Sequence, residues 1–223
     1  MFWILLKKDL ALEFRKKELF AGLTMCCILI SFIFIFAINS LQLESDTKLA
    51  LGTVAVFISG LLSGVLSIER SLKSDFQNKA LERLVVMRCS MLSFYLAKCA
   101  YNFIFVLFGF VISFGFISAS LTSGPWSTWL PVLGLALPCS IAISALLSLL
   151  AGITYNSRLG GLLLAIIGLP LLMPLLAFVT ELAIQIALTG SFNPASVSYN
   201  FVLGLLAFYL LLGINLAEYV YRN

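Results

Sequence analysis

The sequence predicts an all-α integral membrane protein with about six transmembrane helices, and two observations carry this prediction. The mean hydropathy is +1.09 and only 11% of the residues are charged, whereas about a quarter of the residues in soluble domains are charged. A spanning helix takes about 20 mostly apolar residues, so 223 residues hold roughly six spans with short connections. We therefore expect a single transmembrane domain without a separate soluble catalytic domain.

The first 18 residues are predicted to form an amphipathic helix that lies in the membrane interface. The segment "MFWILLKKDLALEFRKK" places apolar residues before basic ones and has no small-residue cleavage site, so we do not expect a secretory signal. Trp3, Leu6, Leu10 and Phe14 recur at steps of three and four residues, which would place their side chains in the headgroup layer and the lysines toward anionic lipid. A simple extension of the first span is the alternative.

Six apolar stretches follow the N-terminal segment. They lie near 19–38, 49–68, 91–120, 129–154, 159–182 and 200–219. With this assignment, every one of the 14 basic residues except Lys48 falls on one side of the membrane. The positive-inside rule therefore predicts that both termini and the 69–90 loop are cytoplasmic. Lys98, near the inner end of the third span, is expected to snorkel toward the headgroups.

The fourth span carries small residues every four positions, which places them on one helix face. They are Ala136, Ser140, Ser144, Ser148 and Gly152. Small residues allow two helix backbones to approach closely in a membrane. We interpret this stripe as a packing surface and assign no chemistry to it.

The fifth span contains two prolines in "GLPLLMPLLAFVTEL". Pro170 and Pro174 each remove a backbone donor, so we expect the helix to bend or break there. Such a break would line a pathway in a transporter and would be only a kink in a scaffold; both interpretations stay open. Glu181, near the outer end, faces either a cavity or the headgroup layer.

The polar loop contains "SIERSLKSDFQNKALERL", residues 67–84. Ser74 and Gln77 have the spacing of a capping box, which predicts a short amphipathic helix that begins at Asp75. In one interpretation this helix is a solvated connector whose apolar face rests on lipid. In the other it docks into a groove on a soluble partner, with Phe76 and Leu81 as apolar anchors.

The composition argues against an enzyme. The chain has no histidine, so a histidine base or metal ligand is excluded. The five cysteines show no CxxC spacing and are interpreted as structural. No GK dipeptide occurs, so the P-loop of an ATPase is missing. We expect no metal site, no bound cofactor and no nucleic-acid partner.

Three segments resemble the CcmB family of haem exporter B proteins. They are "LLSGVLSIERSLKSDFQNKALERL", "YLAK" at 95–98 and "LPLLMPLLAF" at 169–178. The family pattern is matched at Glu69, Arg70, Asp75, Gln77, Leu81, Glu82 and Leu84. Length, span number and the amphipathic N-terminal segment agree as well, so the resemblance covers essentially the whole chain.

The resemblance implies the permease subunit of an ATP-binding-cassette (ABC) complex that handles haem in c-type cytochrome biogenesis, in a bacterial inner membrane. The 69–90 loop would be the coupling helix, and a separate subunit would hydrolyse Mg-ATP. The residues expected to dock this ATPase are Glu69, Arg70, Asp75, Phe76, Gln77, Leu81 and Glu82. The other implied partners are haem-handling membrane proteins and a second copy of the chain, with haem as possible cargo of the complex.

Two alternatives to the haem permease stay open. The same architecture suits the permease half of an exporter of lipid, glycan or drugs, because hydrophobic periodicity does not identify a cargo. A non-transporting membrane scaffold is the second alternative, and it would not depend on an ATPase partner. An intramembrane enzyme is the weakest interpretation, since no deep pair of nucleophile and base is found.

Overall fold

The computed structural model describes residues 2–16, 18–40, 44–77, 90–121, 130–154, 160–189 and 196–222. Within these ranges every regular element is an α-helix. The helices are α1 (Phe2–Lys16), α2 (Glu18–Ser40), α3 (Ser45–Gln77), α4 (Met91–Leu121), α5 (Leu130–Thr154), α6 (Gly160–Thr189) and α7 (Val197–Arg222).

Six of the described helices, α2 to α7, are long and apolar enough to cross a membrane. Each overlaps almost all of one of the apolar stretches predicted from the sequence, and the predicted fold class is confirmed. Backbone hydrogen bonds within each helix satisfy the polar peptide groups, which the hydrocarbon of a bilayer cannot do. The largest difference in length is in α3, which extends over Ser45–Gln77 where the sequence predicted a span near 49–68. Helix α6 is also longer than predicted, since it continues to Thr189 instead of ending at residue 182.

The ends of several spans lie close together at one end of the bundle. The ends of α3 and α7 lie there beside the beginning of α4, as the contacts of Asp75 with Lys98 and of Tyr221 with Phe94 show. Gly152 near the end of α5 adjoins Tyr221, and Gly161 at the beginning of α6 adjoins α3. Helix α1 packs against the same region through Leu6. We call this region the charged end of the bundle.

Helices α3 and α5 form the centre of the bundle. In their apolar stretches 61% and 72% of the residues are buried, against 22% in both α2 and α7. Glycine allows close approach in this core: a Cβ at Gly60 would overlap the Phe110 ring, and a Cβ at Gly64 would lie 2.8 Å from Val106. The small-residue stripe of α5 is largely buried as well, at Ala136, Ser140, Ser144 and Ser148.

Helix α6 runs without interruption through Pro170 and Pro174. Of the two outcomes expected from the sequence, a bend or a break, the break does not occur and the bend stays a prediction. Pro174 has no N–H to donate to the carbonyl of Pro170. One residue further along, the Tyr209 hydroxyl of α7 donates a hydrogen bond of 2.6 Å to the Leu171 carbonyl, which joins α7 to α6 beside this turn.

The N-terminal helix α1 is attached to the bundle by one face. Leu6 is buried with Tyr101 and Phe105 of α4. Trp3, which the sequence pattern grouped with Leu6, is instead 76% exposed. Helix α1 thus has a protein-facing side and an exposed side with Trp3 and Ile4, which suits a helix at a membrane surface.

Candidate functional site

Helix α3 continues past its spanning segment into the polar loop. It is helical from Ser45 to Gln77, so the predicted helix start at Asp75 is wrong and Ser74 lies inside a longer helix. The capping signal is overridden by tertiary packing, because Ile68 and Ser71 in the preceding turns are buried in the bundle. The first part of the predicted coupling loop is therefore a helical extension of α3.

A buried lysine joins three helices at the charged end. The Nζ atom of Lys98 on α4 lies 2.7 Å from Oδ2 of Asp9 on α1 and 2.5 Å from Oδ2 of Asp75 on α3. It also donates a hydrogen bond of 2.6 Å to the hydroxyl of Ser71. The expectation that Lys98 snorkels is wrong, because these three acceptors replace the headgroups and water that a snorkelling lysine seeks.

A second lysine balances the charge of this site. The Lys8 ammonium lies 3.4 Å from Asp9 and 4.0 Å from Asp75, and about half of its side chain is exposed. Lys8, Asp9, Asp75 and Lys98 are referred to below as the charge cluster. Two positive and two negative groups compensate one another, which makes burial of the charges tolerable.

The carboxyl group of Asp75 lies beyond the spanning part of α3 and is 4% exposed. Burial raises the pKa of this carboxyl above its usual range, while the adjacent Lys98 ammonium opposes the rise. The charged form of Asp75 therefore depends on the position of Lys98. A movement that separates α3 from α4 here would therefore change the balance between the charged and the neutral form of Asp75.

A small cavity adjoins the charge cluster. Its volume is about 10 Å³, which is close to the space that a single water needs. The cavity is lined by Ile68, Ser71, Asp75, Phe94, Lys98, Ala151 and Tyr221. This volume is far too small for a tetrapyrrole.

Tyrosines fix α5 and α7 next to the cluster. The Tyr95 hydroxyl of α4 donates to the Ala145 carbonyl of α5 at 3.1 Å, and the Tyr221 hydroxyl of α7 donates to the Ser148 carbonyl at 2.5 Å. Gly152 leaves room for Tyr221, since a Cβ there would lie 2.7 Å from its ring. The charged end is thus a tightly connected junction of α3, α4, α5 and α7.

Comparison with known proteins identifies the family. The sequence model described as CcmB protein matches residues 1–218. The chain belongs to the CcmB family. It is also 28% identical, over 191 residues, to Heme exporter protein B of Pseudomonas aeruginosa; the matched region covers 85% of this chain and 83% of that protein. The resemblance predicted from the loop and from the fifth span is confirmed.

The structure places the predicted docking residues of this CcmB protein in different environments. Arg70 is exposed and Glu69 is half-buried, whereas Asp75 is 4% exposed and belongs to the charge cluster. Phe76 and Gln77 form the last turn of α3. Leu81 and Glu82 lie outside the described residues. Docking to an ATPase stays a prediction for this set.

Sequence reasoning missed a polar stripe on α3 that leads into the cluster. Its members recur every four residues: Ser59, Ser63, Ser67, Ser71 and Asp75, all buried. Lys98 and Asn102, also four residues apart, face it from α4, and the Ser67 hydroxyl donates to Oδ1 of Asn102. The same four-residue spacing that revealed the stripe of α5 was present here as a signal.

Proposed function

We propose that this CcmB protein is the permease subunit of an ABC complex that exports or handles haem for c-type cytochrome assembly. The family match, the similarity to Heme exporter protein B of Pseudomonas aeruginosa and six helices long enough to span a membrane support this proposal. The chain lacks the GK dipeptide of a P-loop. ATP hydrolysis therefore belongs to a separate subunit that uses Mg-ATP.

The continuity of α3 carries the proposal. This helix extends over 33 residues, from Ser45 to Gln77, and its final part is the predicted docking segment. A partner bound at this end would move a central, buried span of the bundle without a flexible joint between them. The charge cluster would pass the same movement to α1 and α4, because Lys98 contacts Asp9 and Asp75 together.

The proposed orientation places the charged end in the cytoplasm of a bacterial cell, with both termini on that side of the inner membrane. The distribution of basic residues supports it, since Lys48 is the exception among 14. Arg70 is exposed at this end, and so the ATPase would find a basic group beside the last turns of α3.

The proposed role is mechanical, with the haem iron ligated by partners. Haem iron is held by histidine, cysteine, methionine or tyrosine. The chain has no histidine, and Tyr95 and Tyr221 donate their hydroxyls to backbone carbonyls. We therefore propose haem-handling membrane proteins as further members of the complex. A second copy of the chain, which the family resemblance implies, is proposed as another member.

A deletion strain tests the proposal. We expect the strain to lose covalent haem in its c-type cytochromes, as seen by haem staining, and to recover it with the intact gene. The tagged chain, purified from native membranes in mild detergent, should carry a P-loop ATPase and haem-handling membrane proteins.

Other outcomes of this experiment would replace the proposal. A bound ATPase with normal cytochromes would indicate an exporter of another cargo. No bound ATPase, together with a loss of other membrane complexes, would indicate a scaffold.

A further inference from the structure

The side chain of Glu69 on α3 lies directly against the first turn of α6. A Cβ placed on Gly161 would overlap Cγ, Cδ and Oε1 of Glu69. Gly161 is the second residue of α6, which begins at Gly160. The contact is possible because glycine has no side chain at this position.

The environment of the Glu69 carboxylate is electrostatically favourable. The first four N–H groups of an α-helix have no acceptor within the helix, and the aligned peptide dipoles place a partial positive charge at this end. A carboxylate next to the first turn of α6 thus lies at the end of the helix where the dipole favours a negative charge. Half-burial of Glu69 strengthens the interaction by reducing its screening by water.

The charged residues near the end of α3 have different surroundings. Glu69 is half-buried and lies against Gly161, whereas the next residue, Arg70, is exposed. Asp75 is directed to Lys98 of α4. The two acidic side chains of this part of α3 thus contact α6 and α4, and Arg70 is exposed.

We propose that Glu69 is a positioning residue that couples the end of α3 to α6, and that it does not dock the ATPase. This inference rests on the proposed function, because it concerns how movement at the end of α3 reaches other spans. Helix α6 is continuous through Pro170 and Pro174, so displacement of its first turn would be carried along the helix. Glu69 then makes α6 follow α3.

A suppressor experiment tests the coupling in the full complex. The variants are Gly161→Ala, Glu69→Ala, Glu69→Gln and the double variant Glu69→Ala/Gly161→Ala. Gly204→Ala serves as the matched control, because a Cβ at Gly204 meets nothing within 4 Å. Two quantities are measured for each variant: the amount of co-purified ATPase and the haem attached to c-type cytochromes per unit of complex.

We expect all five variants to retain the ATPase. Gly161→Ala and Glu69→Ala should lower haem attachment by about two- to fivefold, the scale of a charge at a helix N-terminus. The double variant should attach more haem than Gly161→Ala, because removal of the Glu69 carboxylate relieves the overlap with the added methyl group. Glu69→Gln, which keeps the shape and loses the charge, should fall between Glu69→Ala and the unchanged protein.

Three results would overturn the inference. Loss of the ATPase in Glu69→Ala would make Glu69 a docking residue. A Gly161→Ala variant equal to Gly204→Ala would show that the contact transmits nothing. A double variant no better than Gly161→Ala would show that the added methyl group acts through another neighbour.

Failure of the proposed function is recognised separately in the unchanged protein, by the absence of a bound ATPase or by normal cytochromes in the deletion strain. That result would overturn the coupling role as well. The contact itself would still be tested by thermal unfolding, where non-additive effects of Glu69→Ala and Gly161→Ala support it and additive effects contradict it.

Discussion

The Lys98 ammonium lies 2.5 Å from the Asp75 carboxylate, and this pair joins the beginning of α4 to the end of α3. Both side chains are almost fully buried, at 6% and 5% exposed. A buried pair adds little stability compared with apolar residues of the same shape, but removal of one partner leaves an uncompensated charge. The pair therefore fixes the relative position of two helices more than it strengthens the fold.

Replacement of Lys98 by methionine should destabilise the protein strongly. Among the residues that the structure describes, Asp75 would lose its nearest cation and Asp9 would keep Lys8 at 3.4 Å. The expected loss is about 3–5 kcal/mol, as for other broken buried pairs. Thermal unfolding in detergent measures it, with Lys7→Met on the exposed side of α1 as the control. Equal unfolding temperatures for the two variants would contradict a structural role of the cluster.

The double variant Lys98→Met/Asp75→Asn should recover part of that stability. It removes both charges of the closest pair, and Asp9 keeps its contact with Lys8. We expect an unfolding temperature between those of Lys98→Met and the unchanged protein. The reason is that position 75 no longer carries a buried negative charge that needs a cation. A double variant less stable than Lys98→Met would show that Asp75 has another essential partner.

Phe76→Asp is predicted to abolish association with the ATPase while leaving insertion intact. Phe76 lies in the last turn of α3, beyond the spanning segment, and it is the predicted apolar anchor of the docking surface. Co-purification measures association, and the amount in the membrane fraction measures insertion. Lys7→Asp on α1 is the control for added negative charge. Normal association of Phe76→Asp would remove the anchor from the docking hypothesis.

The double variant Pro170→Ala/Pro174→Ala is predicted to impair haem attachment while the complex still assembles. Both prolines are exposed in α6, so alanine causes no clash and restores two backbone donors. Helix α6 should straighten, which changes the path of a span whose Leu171 carbonyl is held by Tyr209. Haem staining and co-purification measure the two effects. Full haem attachment would make the bend incidental.

The sequence revealed the spans because each one is a continuous apolar stretch, a signal that is local in the chain. The charge cluster was not predicted because Lys98 and Asp9 are 89 positions apart, and no local pattern pairs such residues. The contact of the Glu69 side chain with Gly161 was not predicted for the same reason. The capping box at Ser74 misled because burial of Ile68 and Ser71 overrides a local helix-start signal.

The orientation of α1 was predicted only in part. Steps of three and four residues grouped Trp3 with Leu6, but Leu6 packs under Tyr101 and Phe105 while Trp3 is 76% exposed. The periodicity detected an amphipathic helix. It did not show which apolar residues face protein and which face the membrane surface, since both environments accept them.

Site-specific photo-crosslinking tests the central claim most directly, namely that ATP-driven motion enters at the end of α3. A photoreactive residue at position 76, in the last turn of α3, is compared in native membranes with one at Phe36, which is 70% exposed on α2. The account predicts a crosslink from position 76 to a P-loop ATPase and none to it from position 36. A complex that contains the ATPase but crosslinks to it only from other positions would contradict the account.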